Sequence, residues 1–214
     1  MKLGIYLIAI AFFTSVFFYG CTKTSDLSQR PSDTKTTTLE DDYSASDWAV
    51  SDWALVAGLY DMSNGALRNE FSSTVHTTLR RDTTDEDLEL TLDYVNLDTT
   101  SPNSLVINPR ESTDGEVVQI QINSTLAQIF KFTSGAWTPL GSVSATSTQG
   151  VVYNVRIVCD GDNVKVYRTE PDGLETLLLD VTDATINFWD QRSVTLQMHK
   201  TTIYSIDNIR IYNR

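Results

Sequence analysis

Leu88, Leu90, Leu92 and Tyr94 alternate with Glu89, Thr91 and Asp93, and Val118, Ile120 and Ile122 alternate with Gln119 and Gln121. A period of two places each class on one face of an extended chain, so both runs read as half-buried β-strands. The pattern returns at Tyr153, Val155, Ile157 and Cys159, set against Asn154 and Arg156. Asp160-Gly161-Asp162-Asn163 then supplies an Asp-Gly hairpin turn, and Val164 and Val166 come back on the next strand. Further strands are expected over 177–179, 194–198 and 203–212. Between 40 and 214 no long 3.6-residue period occurs, so helix should be scarce. Roughly ten or more short strands, parted by Gly, Pro, Asn and Asp, imply a two-sheet sandwich or a barrel. The span 40–214 has the length of one domain with a sizeable core.

The N-terminus reads differently. Residues 1–20 carry Lys2 and then an uncharged apolar run from Leu3 to Tyr19, the pattern of an export signal. Gly20-Cys21 resembles the end of a bacterial lipobox, where cleavage exposes a Cys that receives lipid; Phe18 and Tyr19 replace that motif's usual Leu and small residue. The alternative is an uncleaved anchor, for which ~17 to 25 apolar residues suffice. Either reading ties the chain to a bacterial membrane, so the expected location is the cell envelope. Residues 21–39 are rich in Ser and Thr, poor in apolar side chains and without period. They read as a flexible tether spanning ~25 Å.

Loss of residues 1–20 removes one Lys and no acid, moving the net charge from -12 to -13. That balance excludes nucleic acid, whose binding depends on neutralised phosphates, and peripheral docking on anionic lipid. It leaves cations, neutral sugars or a basic partner. With Cys21 lipidated, Cys159 is single and no disulfide can form; a lone Cys in an apolar strand reads as a small core residue. His76 and His199 offer no zinc spacing.

Two acidic runs invite a catalytic reading. Glu170 to Glu175, EPDGLE, has the E-x-D-x-x-E spacing of jelly-roll enzymes that cleave β-glucans. A retaining glycosidase needs its two carboxyl groups ~5 to 5.5 Å apart. Pro171 and Gly173 instead mark a turn, which puts Glu170 and Glu175 on the two arms of a wet hairpin. The run 82–93 places Asp87, Glu89, Thr91 and Asp93 on one strand face. A glycosidase or lyase would use Glu89 and Asp93; a solvated outer face is the favoured reading. There is no G-x-S-x-G elbow and no phosphate-cradling Gly loop. The tandem SDWA at 46–49 and 51–54 sets Trp48 and Trp53 on opposite strand faces, one for the core and one for an edge.

Four segments together carry a family resemblance: DWALVAGLYDMSNGAL (52–67), FKFTSGAWTPLGS (130–142), YNVRIVCDGDNVKVY (153–167) and SIDNIRIY (205–212). In this order they resemble the concanavalin A-like lectin/glucanase superfamily, in particular its laminin-G-like members in secreted bacterial proteins. The resemblance spans 47–213 and departs at 190–193, DQRS, where the family usually has a glycine. It implies an all-β jelly-roll sandwich of two antiparallel sheets, one concave, with ligands on the concave face or on loops at one edge. It also implies a structural calcium held by Asp207, with Gly65 and Asp42 as further ligands; no other cofactor is required.

By simple alternation Asp207 shares a face with Ile203, Ser205, Ile209 and Ile211. A carboxylate buried there needs a cation or several N–H donors. For sugar, flat aromatics flanked by polar side chains are the useful signal, because ring faces stack while hydroxyls need partners. Trp189, followed by Asp190, has this neighbourhood, and Trp137 matches a structural hairpin Trp of the family. The leading expectation is a non-catalytic envelope lipoprotein whose lectin-like domain binds carbohydrate. The alternatives are an enzyme working in the concave groove and a structural envelope protein that binds another polypeptide.

Overall fold

The computed structural model describes residues 37–41, 53–57, 60–61, 67–69, 77–83, 87–97, 104–186, 191–198 and 204–214. Among these residues the chain forms two antiparallel sheets and no helix. One sheet has eight strands: β1 (Thr37–Asp41), β3 (Tyr60–Asp61), β4 (Leu67–Asn69), β6 (Leu88–Asn96), β11 (Val152–Asp160), β12 (Asn163–Thr169), β13 (Glu175–Thr182) and β15 (Tyr204–Asn213). The other has seven: β2 (Ala54–Ala57), β5 (Thr77–Asp82), β7 (Leu105–Ser112), β8 (Val117–Ile122), β9 (Leu126–Thr133), β10 (Ala136–Ser144) and β14 (Gln191–Met198). Their orders are β13-β12-β11-β6-β15-β4-β3, with β1 also pairing β15, and β10-β9-β8-β7-β14-β5-β2. No described strand pairs across the two sheets, which selects the sandwich over the barrel. Among the described residues pairing begins at Thr37, opposite Tyr212, so residues 37–39, assigned to the tether, lie in β1.

Period-two patterning builds the core. Leu88, Leu90, Leu92 and Tyr94 of β6 and Val155, Ile157 and Cys159 of β11 face Ile107, Ile120, Ile122, Val194 and Leu196 of the other sheet in one buried cluster. Truncating one of these leucines to Ala would cost ~2 to 5 kcal/mol. Trp53 joins this core, while Trp48 lies outside the described residues. Along one side of the sandwich the edge strands β10 and β13 approach closely at Gly141. A Cβ there would stand 3.3 Å from Val181 Cγ2, so the contact favours a residue without a side chain.

Turn chemistry behaves as expected. Asp160 pairs with Asn163 across the two-residue turn Gly161-Asp162, with Gly161 at φ 54°. The EPDGLE hairpin closes through the Gly173 N–H donating to Glu170 O at 2.9 Å, and the Leu174 N–H donating to Asp172 Oδ1 at 3.0 Å. One feature was not legible beforehand. Arg110 on β7 is fully buried and donates to the carbonyls of Gly161 (2.5 Å) and Ile186 (2.9 Å) and to Asp87 Oδ1 (3.3 Å). Asp87 Oδ1 also accepts the Gly161 N–H at 2.6 Å. This cluster fastens one end of β7 to the β11–β12 turn of the facing sheet, with the guanidinium's charge matched by a carboxylate and two carbonyls.

Candidate functional site

On the seven-stranded sheet the core takes Leu79, Val194, Leu196, Leu105, Ile107, Ile120, Ile122, Ala127 and Ile129. Alternation turns the residues between them outward, and the register lines those up in rows across the strands. One row runs Asp82, Ser193, Glu111, Val117, Phe132, Trp137, and the next Arg80, Thr195, Asn108, Gln119, Phe130, Pro139. A third runs Thr78, Gln197, Val106, Gln121, Gln128, Ser142. From β5 to β10 these rows cross five strand spacings, a length of ~24 Å.

Each end of the face has its own chemistry. At the edge, Trp137 sits with its ring centroid 5.0 Å from Phe132 and 6.5 Å from Phe130, the latter edge-on. It is 51% exposed, so the hairpin Trp expected to be structural presents half its surface to solvent. Two strands further in, Gln121 Nε2 donates to Gln119 Oε1 at 2.7 Å, and Gln119 Nε2 donates to Asn108 Oδ1 at 3.3 Å. An amide carries two N–H donors and an oxygen with two lone pairs, so this relay leaves unused capacity along its length. Nearer the centre, Thr195 Oγ1 donates to Glu111 Oε2 at 2.7 Å. Ser193, cross-strand from Glu111, is wholly buried and its hydroxyl has no hydrogen-bond partner. Exposure thus falls along the face from Trp137 to Thr195 at 7% and Ser193 at 0%. Arg80 is tied to Asp82 by Nε to Oδ1 at 3.1 Å.

The outward face of the eight-stranded sheet is closed by ion pairs. Arg156 grips Glu175 through two bonds, Nε to Oε1 at 2.8 Å and Nη2 to Oε2 at 2.7 Å, and its Nη1 stands 3.6 Å from Glu89 Oε2. The guanidinium also lies 3.9 Å above the Tyr167 ring. The hydrogen bonds from Arg156 hold the Glu175 carboxyl below its usual range. Lys165 pairs with Asp180 at 3.7 Å. Asp93 accepts from Asn154 Nδ2 at 2.8 Å and from Asn208 Nδ2 at 2.7 Å.

These partnerships dispose of the acidic candidates. Glu89 and Asp93 do share one strand face, yet four residues along a strand separates them by ~13 Å. Paired glycosidase carboxyls stand ~5 to 9.5 Å apart. Both also lie on the ion-paired sheet rather than beside the exposed aromatic. Glu170 is taken by Arg168 Nε at 2.7 Å, and Glu175 by Arg156, on the two arms of the hairpin as expected. Burial pushes the Cys159 thiol up to about 11, which suits a core residue and not a nucleophile.

Asp207 departs from the alternation. Asn208 adopts φ 51°, and the pairing of β15 with β6 slips between Asp207 and Arg210. This bulge shifts the phase: Tyr204 and Ile206 face the core before it, and Ile209 and Ile211 after it. Asp207 therefore does not share the face of Ile209 and Ile211. It is half-buried, and its Oδ1 accepts the Asn208 N–H at 2.8 Å. Among the described residues no three His, Cys, Asp or Glu side chains come together as a metal site. The other expected calcium ligands, Asp42 and Gly65, lie outside the described residues, as do Cys21, Trp189 and Asp190.

The fold has many solved counterparts. A carbohydrate-binding module, CBM66 from Bacillus subtilis, superposes with a TM-score of 0.57 at 17% identity, over 74% of this chain and 93% of its own. A protein of unknown function with a galectin-like fold from Bacillus subtilis gives 0.61 at 9% identity, over 83% and 97%. An apo Crh5 transglycosylase gives 0.60 at 14% identity, over 82% and 83%. At such identities the likeness is one of fold, a two-sheet β-sandwich. No protein-family model matches the sequence, and no curated protein matches it by sequence.

Proposed function

We propose that the protein is a non-catalytic carbohydrate-binding lipoprotein of the bacterial cell envelope, and that the outward face of the seven-stranded sheet is its binding surface. The observation that carries this is the half-exposed Trp137, backed by Phe130 and Phe132, with the Gln119–Gln121 amide relay two strands further in on the same face. Sugar rings stack their C–H faces on indole and satisfy their hydroxyls on amides and carboxylates. The printed names of two similar structures, a carbohydrate-binding module and a galectin-like fold, support the same reading. Within that fold the four sequence segments favour a laminin-G-like member. Trp189 and Asp190, which precede β14 in the sequence, are the further sugar-binding residues of this reading. Lipid on Cys21 and the tether after it hold the domain off the membrane.

The binding reading is preferred to an enzymatic one because both carboxylates that flank Ser193 on this face are already engaged. Glu111 accepts from Thr195, and Asp82, two strand spacings or ~9.6 Å across, is paired with Arg80. The reading requires no metal. A glycan array probed with the purified mature chain and with Trp137→Ala tests it: binding by the first and a much weaker signal from the second is expected. Release of reducing sugar by the wild type, lost in Glu111→Gln, would establish an enzyme instead. Capture of no glycan at all would favour a protein partner.

A further inference from the structure

We infer that Glu111 is the specificity-determining group of this face and that it selects neutral glycan chains over anionic ones. The inference rests on the carbohydrate-binding reading above. Glu111 lies in the middle of the sheet, on β7, with strands on both sides. Thr195 Oγ1 fixes Oε2 in place, which presents the carboxylate as an oriented acceptor. On the neighbouring strand the Ser193 hydroxyl faces outward, since Val194 takes the core-facing position next to it. That hydroxyl is completely buried and has no partner. A ligand on the surface does not reach that hydroxyl, so it marks how dry the surroundings of Glu111 are. Glu111 itself is half-buried, and its fixed carboxylate points to a ligand hydroxyl that donates to it.

Charge decides which sugars fit. Arg80, the one cation in the described rows, is already engaged by Asp82. The face thus offers a uronic or sialic carboxylate no unengaged cation within those rows and one fixed negative charge in the middle of the sheet, on a chain of net charge -12. Like charges at close range repel, and the low accessibility around Thr195 and Ser193 weakens solvent screening. A neutral chain lying along the ~24 Å row would stack on Trp137 at one end and donate a hydroxyl to Glu111 further in.

The test is calorimetric titration of the full-length protein in detergent with neutral oligosaccharides of increasing length and with uronate-containing oligosaccharides of matched length. The wild type should prefer the neutral series. Glu111→Gln, with its fold checked by circular dichroism, should weaken neutral binding roughly ten- to a hundredfold, the worth of a charge-assisted hydrogen bond. It should also shrink the neutral-to-anionic ratio, while Trp137→Ala should weaken both series and leave that ratio unchanged. An unchanged ratio in Glu111→Gln, or a wild type that prefers the uronate series, overturns the inference while leaving the lectin reading in place. Absence of binding to every oligosaccharide overturns both.

Discussion

The two outward faces of this sandwich are built from the same alternating strands and reach opposite ends chemically. On the eight-stranded sheet Arg156, Glu175, Glu89 and Tyr167 consume one another, as do Asp93, Asn154 and Asn208. On the seven-stranded sheet the side chains are mostly uncharged, a Trp is half exposed, and the Gln119–Gln121 relay keeps amide capacity in reserve. A face whose polar groups are already paired contributes to stability, whereas one with spare donors and acceptors can bind something else. The location of binding is thus argued from unspent hydrogen-bonding capacity rather than from the number of charges.

The sharpest way to break this contrast is to remove the two aromatic residues separately. Trp137→Ala should lower glycan affinity by about 2 kcal/mol or more in a titration. Tyr167→Ala, on the other face, should leave it unchanged; an equal loss from both would erase the distinction. Next in size, Arg156→Met should lower the unfolding free energy by about 1 to 2 kcal/mol in urea, since it takes a shared cation from Glu175 and the buried Glu89. Glycan affinity should not move. Smaller again, Ser193→Ala should raise stability by up to about 1 kcal/mol by deleting an unpaired buried hydroxyl, and glycan affinity should not move.

The smallest effect concerns acid. Asp183 accepts from Lys131 Nζ at 2.6 Å and from Thr185, and these bonds bring its carboxyl down to about 2. A depressed carboxyl stabilises the fold fully above the unfolded-state value of about 3.9, and the contribution disappears as pH falls through the folded-state value. Melting temperatures of the wild type should therefore decline between pH about 4 and about 2. Asp183→Asn should lack that part of the decline; an unaltered acid limb would show that the Lys131 bond contributes nothing.

Much of the fold could be read in advance because period-two patterning is local. The β6 and β11 alternations, the Gly161-Asp162 turn and the Pro171-Asp172-Gly173 bend all formed where expected. Asp207 was misplaced because alternation carries no marker for a bulge until Asn208 is seen in a left-handed conformation. The candidate face was missed for a different reason. On β9 the core phase is Ala127, Ile129 and Lys131, and the outward phase includes Phe130 and Phe132. A lysine in the core phase flanked by two aromatics in the other phase is a signal that apolar surface points outward, and Trp137 follows in the same hairpin. Reading Trp137 as a structural hairpin residue hid it. Arg110 gave no signal at all, since its partners are backbone carbonyls and a carboxylate far away in sequence.

The most direct test is a two-dimensional NMR titration of the isotopically labelled protein with a neutral oligosaccharide, following the Trp indole N–H and the Gln and Asn side-chain amides. Saturable shifts should centre on Trp137, Gln119, Gln121 and Gln128, with Asn154 and Asn208 unmoved. Shifts that cluster on Asn154, Arg156 and Tyr167 instead would contradict the account.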